Sequence, residues 1–189
     1  MKQLAIAAAV ALAAFGARAE TANYTIDPNH TFATFEIGHM GTSTIRGRFD
    51  KKSGTVQVDA GAKTGRVDVT IDIASLSTGV DHFNQHLQSK EFFDVATYPT
   101  ATFKSDKFVF DGVKVAAVEG QLTMHGKTQP VTLKANHFNC YVNPMFKRDV
   151  CGGDFEAAIH RKDFGMDAYE NMGAPDDVRI LVQIEAIKQ

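Results

Sequence analysis

The strongest constraint in this chain is a two-residue period. Between Arg66 and Ile73, the residues Val67, Val69, Ile71 and Ile73 alternate with Asp68, Thr70 and Asp72. Successive strand side chains point to opposite faces, so this stretch reads as a strand with one dry face and one wet face. The pattern recurs along the chain. Ala33, Phe35, Ile37 and His39 share one face of Thr31–His39, and Ile45, Gly47 and Phe49 alternate with Arg46 and Arg48. Thr100–Phe110 aligns Ala101, Phe103 and Ser105, and Val113–Met124 aligns Val118, Gly120, Leu122 and Met124. Gln129–Phe138 aligns Val131, Leu133 and Ala135, and Asp177–Ile187 aligns Val178, Ile180, Val182 and Ile184. Asp27-Pro28-Asn29 breaks the first strand, while Lys51-Lys52-Ser53-Gly54 and Asp111-Gly112 read as hairpin turns.

With Asn23–Asp27, Thr55–Asp59 and Asp154–His160 included, the pattern predicts an all-β chain of eight or nine antiparallel strands. Strands of this kind close into a barrel or stack as a two-sheet sandwich. An eight-stranded barrel is either filled by side chains or holds one small ligand. Ala33, Gly47, Ala101, Ser105, Gly120, Ala135 and Ala157 interleave with phenylalanine on the inner faces. These small residues predict room for a cavity, although a tapering, filled barrel also uses them.

One stretch breaks the period. In Val80–Pro99, Phe83, His86, Leu87 and Lys90 fall at helical spacing, with Asp81 placed as a capping carboxylate. Phe92 and Phe93 follow, and Tyr98-Pro99 ends the segment. A short amphipathic helix in a β chain either plugs a barrel end or roofs an apolar pocket.

The first nineteen residues read as a leader outside the fold. A positive start at Lys2 precedes the apolar run Leu4–Phe15, and Ala17-Arg18-Ala19 is a small-x-small cleavage site. The predicted cut follows Ala19 and places residues 20–189, a single domain, in the periplasm. Without Lys2 and Arg18 the chain carries 18 basic and 22 acidic residues, net −4. That balance offers no basic patch for nucleic acid and little overall attraction to anionic lipid, leaving only transient membrane contact. Cys140 and Cys151 flank Asn143-Pro144, a turn signal. In an oxidising compartment they are expected to form a disulfide that staples a loop or hairpin; a redox-active pair would favour Cys-x-x-Cys spacing.

Candidate chemistry is sparse. The sequence has no nucleophile elbow, no phosphate-binding glycine loop and no zinc-protease pair. His82 and His86 share a helix face but lack an evident third ligand, so no metal site is expected. His39, on the face of Phe35, and His86 are the candidates for polar groups meeting a ligand head. His125 and His137 are expected to face water, Arg161–Asp163 to be an ordinary surface pair, and Arg161–Pro175 to be a long polar loop.

Together these residues resemble the YceI-like family of polyisoprenoid-binding periplasmic proteins. The resemblance is carried by Tyr24-x-Ile26-Asp27 with His30, Phe35-x-x-x-His39 and Gly47-x-Phe49. It continues through His86-Leu87-x-Ser89-x-x-Phe92-Phe93-Asp94, Tyr98-Pro99-x-Ala101-x-Phe103-x-Ser105, Gly120-x-Leu122-x-x-x-Gly126-x-Thr128-x-Pro130-Val131-x-Leu133 and Asp163-Phe164-Gly165-Met166. It implies a lipocalin-like, extended eight-stranded antiparallel barrel with a short helical flap, no catalysis and no cofactor. It implies a polyisoprenoid, a quinone tail or a fatty amide in the lumen, with a homodimer as one assembly. On this reading Phe35, Phe92, Phe93 and Phe103 line the tunnel, and His39 and His86 sit near its polar mouth. Two rival readings are a small-scope enzyme using His39 or His86, and a stress-induced structural module whose cavity is incidental.

Overall fold

The computed structural model describes residues 22–189, so the expected leader lies outside the described residues. Eleven strand segments and one α-helix follow in order: β1 (Ala22–Ile26), β2 (Phe32–His39), β3 (Ser43–Phe49), β4 (Lys52–Asp59), β5 (Thr64–Asp72), β6 (Leu76–Ser77), α1 (Asp81–Gln88), β7 (Thr100–Asp111), β8 (Lys114–Met124), β9 (Lys127–Val142), β10 (Asp149–His160) and β11 (Asp177–Lys188). All pairings are antiparallel. The order β1-β4-β5-β7-β8-β9-β10-β11 closes on itself because β11 also pairs with β1. This ring is an eight-stranded up-and-down barrel. Three of its strands are broken: β2, β3 and β6 continue β1, β4 and β5 past kinks and pair among themselves and with β11.

The kinks have local causes. Pro28 cannot donate to a ladder, and Asp27 turns the chain by accepting from the Asn29 amide at 2.9 Å and pairing with His30 Nδ1 at 2.8 Å. Asp50 and Lys51 reach across the sheet, their amides donating to the Ser75 carbonyl and Ser75 Oγ at 3.1 and 2.9 Å. Lys51-Lys52-Ser53-Gly54 is therefore not a hairpin. Lys52 already pairs with Ile71, and the reversals fall instead at residues 40–42 and 60–63. Lysine followed by Ser-Gly mimics a turn, but here the inward alternation carries straight on through Val56 and Val58.

The inner face carries one large apolar core, including Phe35, Phe49, Phe103, Phe155 and Ile159. The small residues on that face have several roles. Gly47 stands directly opposite Phe35, and a Cβ there would lie 2.5 Å from the ring. Gly120 is overlaid in the same way by Phe103. Both glycines are seats for a cross-strand aromatic ring, not open space. Ser105 serves a β-bulge, donating to the Glu119 carbonyl at 2.6 Å and accepting from the Lys107 amide. Outside, a charge ladder crosses four strands: Arg46 and Arg179 pair with Glu36, and Arg179 also pairs with Glu156 at 2.6 Å. The two arginines hold the Glu36 carboxyl below the usual range.

Cys140 and Cys151 are disulfide-bonded and stand in register across β9 and β10. They staple a hairpin, as expected. The disulfide sulfur carries no proton, so the Tyr24 hydroxyl 3.4 Å from Cys151 Sγ is the donor of that contact.

Two outcomes follow for stability. Gly47→Ala should cost about 1–3 kcal/mol, because the Phe35 ring must leave its seat; the midpoint of urea unfolding checks it. Replacing both cysteines by serine should cost about 3 kcal/mol through the freed loop entropy of the unfolded chain, read in the same assay under non-reducing conditions.

Candidate functional site

At the barrel end reached by the 124–127 turn, the chain adds α1 and the 161–175 loop. The helix begins at Val80, which caps it without a side-chain bond. Asp81 is therefore not the cap. It sits in the first turn, where its charge faces the positive end of the helix. The docking contact comes from Asn84, whose Oδ1 accepts from both the amide and the hydroxyl of Thr78 at 2.7 Å. Leu87 is buried and Phe83 half-buried on the inner helix face. Past the helix the Phe93 amide donates to the Leu87 carbonyl at 3.0 Å, which folds the chain back over the opening. The two neighbouring phenylalanines then diverge. Phe93 packs against Phe49 and Phe35, with ring centroids 5.7 and 6.4 Å away. Phe92 faces His86 at 5.0 Å and stacks on Tyr169 at 5.8 Å.

The 161–175 segment is not the polar loop that its composition suggests. Phe164 is 1% exposed, and Met166 is also buried. Arg161, 4% exposed, makes no surface pair with Asp163. Its guanidinium instead donates to three carbonyls of its own loop: Nε to Pro175 at 2.8 Å, one terminal nitrogen to Met166 at 2.8 Å and the other to Ala174 at 3.4 Å. It thus ties both ends of the loop to the barrel rim. Tyr169, at φ 61°, closes the loop over α1, its hydroxyl donating to Glu91 Oε2 at 3.0 Å. That carboxylate holds the phenol above its usual range. His86 Nδ1 lies 3.8 Å from the same oxygen. His125 also departs from expectation. It is half-buried, packed on Tyr98 at 4.6 Å, with Nδ1 2.9 Å from the Phe164 carbonyl.

Beneath this roof is a cavity of about 440 Å³. Of the six residues predicted to meet a ligand, Phe35, His39, His86, Phe92 and Phe93 line it together. His39 does so from the exposed end of β2. Phe103 stands apart, on a second, almost wholly apolar cavity of about 120 Å³ deeper in the barrel. Ala33 and Val182 line the smaller cavity, and the next inward residues of the same strands, Phe35 and Ile180, line the larger. The two chambers therefore adjoin along the lumen, lined by neighbouring layers of inward side chains. Arg161, Tyr169, Met40 and Met172 also line the larger chamber and were not anticipated. The available signal was the set of large apolar side chains in that segment, Phe164, Met166, Tyr169 and Met172, among charged residues.

Arg161→Gln should destabilise the fold by about 3 kcal/mol, because buried carbonyls lose their donors. Arg161→Lys should recover part of that loss, and a thermal melt of the two variants checks the ranking.

Relatives share this architecture. A UPF0312 protein of Pseudomonas savastanoi pv. phaseolicola is 36% identical over 165 residues, covering 86% of this chain and 85% of its own. The crystal structure of BcnA from Burkholderia cenocepacia matches with a TM-score of 0.69 and 27% identity, covering 85% of this chain and 98% of that one. A polyisoprenoid binding domain from Saccharophagus degradans, implicated in plant cell wall breakdown, matches with a TM-score of 0.61 over 90% of this chain and all of that one. At 17% identity that last likeness is one of fold. The YceI-like domain model matches residues 24–186, nearly the whole barrel, and the chain belongs to that family.

Proposed function

We propose that this protein is a non-catalytic carrier that holds a long apolar ligand in the barrel lumen. The observation that carries this reading is the roofed chamber of about 440 Å³, lined almost entirely by apolar side chains with a few polar groups at its mouth. That is the composition of a small-molecule site that fixes a head and buries a tail. A tail entering past Phe35 and Ile180 would reach the smaller chamber at Ala33 and Phe103. The ligand class is a polyisoprenoid, a quinone tail or another long-chain lipid. The polyisoprenoid-binding domain of Saccharophagus degradans supports the first of these by its fold. The leader sequence and the disulfide support a periplasmic location.

Energetics assign the choice of ligand to the head and to shape. Burying one methylene from water is worth about 0.8 kcal/mol. A forty-carbon chain would on that scale exceed the roughly 18–21 kcal/mol ceiling on non-covalent affinity. Such a lipid starts in a bilayer, which is as apolar as the lumen, so transfer of the tail is close to neutral. Discrimination then falls to His39, His86, Arg161 and Tyr169 around the larger chamber.

Native mass spectrometry of protein purified from its own host, followed by organic extraction, tests the proposal. The expected result is one long-chain lipid per protein. Ile180→Trp should obstruct the passage beside Phe35 and weaken the adduct while the fold survives. Empty wild-type protein after incubation with membrane lipids would overturn the carrier reading.

A further inference from the structure

The barrel end opposite the roofed chamber carries a feature that ligand binding does not use. There β9 and β10 run on past the disulfide into a hairpin tip, residues 141–148. Four large apolar side chains on it face water: Met145 is 88% exposed and Val142 60%, and Tyr141 and Phe146 are also exposed. The tip is not loose. Asn143 Oδ1 accepts from the Met145 amide at 2.9 Å, the Asn143 amide donates to the Arg148 carbonyl at 2.9 Å, and the Cys140–Cys151 bond clamps the base. A rigid protrusion that shows these side chains to solvent invites an apolar partner.

Its charge says which one. Lys147 and Arg148 are both exposed, and neither forms an ion pair among the described residues. The Arg148 guanidinium lies 5.6 Å from the Phe146 ring centroid, so cation and ring are presented side by side. At the base of the hairpin Asp149 pairs with Lys188 at 3.2 Å, and the Glu185 carboxylate accepts from the Tyr141 hydroxyl at 3.3 Å, so the two unpaired cations outnumber the one carboxylate left without a cationic partner beside them. The tip is thus locally cationic on a chain of net negative charge. The neighbouring β7–β8 tip, on the same rim, exposes Val113 at 70%. Apolar and aromatic side chains beside unpaired cations match the interface of a bilayer, where rings and methionine enter the acyl boundary and cations meet phosphates.

We propose that the 141–148 hairpin tip is a membrane-docking element for anionic phospholipid. It seats the barrel end-on, with Met145 and Phe146 in the interface and Lys147 and Arg148 at the phosphates. This placement is independent of what the lumen carries.

The chain has no tryptophan, so Phe146→Trp installs a single tryptophan at the tip, excited apart from the four tyrosines at the red edge of absorption. The variant is mixed with vesicles of phosphatidylcholine alone and with vesicles of equimolar phosphatidylcholine and phosphatidylglycerol. The expected result is a blue shift with the anionic vesicles only, weakened by added salt. Thr132→Trp, on the outer barrel wall, should not shift. In vesicle sedimentation, Lys147→Glu with Arg148→Glu should lower wild-type affinity at least about 30-fold, from about 1 kcal/mol per lost cation. Met145→Ser with Phe146→Ser should lower it about tenfold, and unchanged thermal melts would show that both double variants fold. No shift with either vesicle, or equal binding to both, would overturn the proposal. So would a dimer in analytical ultracentrifugation that Met145→Ser with Phe146→Ser abolishes, because that result would assign the tip to a second copy of the chain.

Discussion

Everything in this structure depends on closing the ring of backbone hydrogen bonds. A strand edge left open is a row of unpaired donors and acceptors, and only full closure removes it. Here closure falls on β11, which pairs with β2 along Val178–Gln183 and with β1 along Ala186–Lys188. Between those two registers Pro28 interrupts the ladder. Thr31 repairs the gap: its buried hydroxyl donates to the Glu185 carbonyl at 3.1 Å and accepts from the Glu185 amide at 3.2 Å. The Asp27 amide also reaches the Glu185 carbonyl at 2.9 Å, so the Thr31 side chain supplies the acceptor that the backbone lacks opposite the Glu185 amide.

Closure creates a lumen, and the lumen must then be filled or left partly empty. Aromatic rings lying over Gly47 and Gly120 fill much of it, and Phe93 adds a third ring to Phe35 and Phe49 from outside the barrel wall. Towards the α1 end a roof, itself rich in rings, closes over the space the barrel rings leave. Apolar burial of Leu87 and Phe93 is joined in that roof by polar contacts: Asn84 to Thr78, Tyr169 to Glu91, and Arg161 to three carbonyls. Contacts of this kind allow a cover over an apolar chamber without plugging it. Burial of Phe164 and Met166 anchors the loop at its start, whereas Tyr169, Met40 and Met172 meet solvent at the mouth.

The two barrel ends therefore differ in chemistry. One is a roofed mouth with histidine, arginine and tyrosine near an apolar chamber. The other is a covalently clamped hairpin that displays apolar and cationic side chains. A carrier that docks by one end and opens at the other would keep its mouth clear of the surface it rests on.

Much of this was legible in the sequence, because a two-residue period is a local property. Val67, Val69, Ile71 and Ile73 name their face without reference to any other strand, and the helical break at Phe83–Leu87 is equally local. Five of the six anticipated lining residues share one chamber for the same reason: an inward position on a barrel strand, or under its flap, faces the lumen wherever the strand sits. The sequence could not say what stands opposite. Gly47 looked like empty space until register set Phe35 against it. Lys51-Lys52-Ser53-Gly54 has the composition of a turn, but Ser75 across the sheet takes the amides of Asp50 and Lys51. Arg161 looked like a surface charge because its three acceptors are carbonyls, which carry no sequence signature. The amino-acid order alone determined the strands, their faces and the helical interruption, through side-chain alternation. Pairing, closure and the division of the lumen into two chambers were decided only in three dimensions, where residues far apart in the chain compete for the same space.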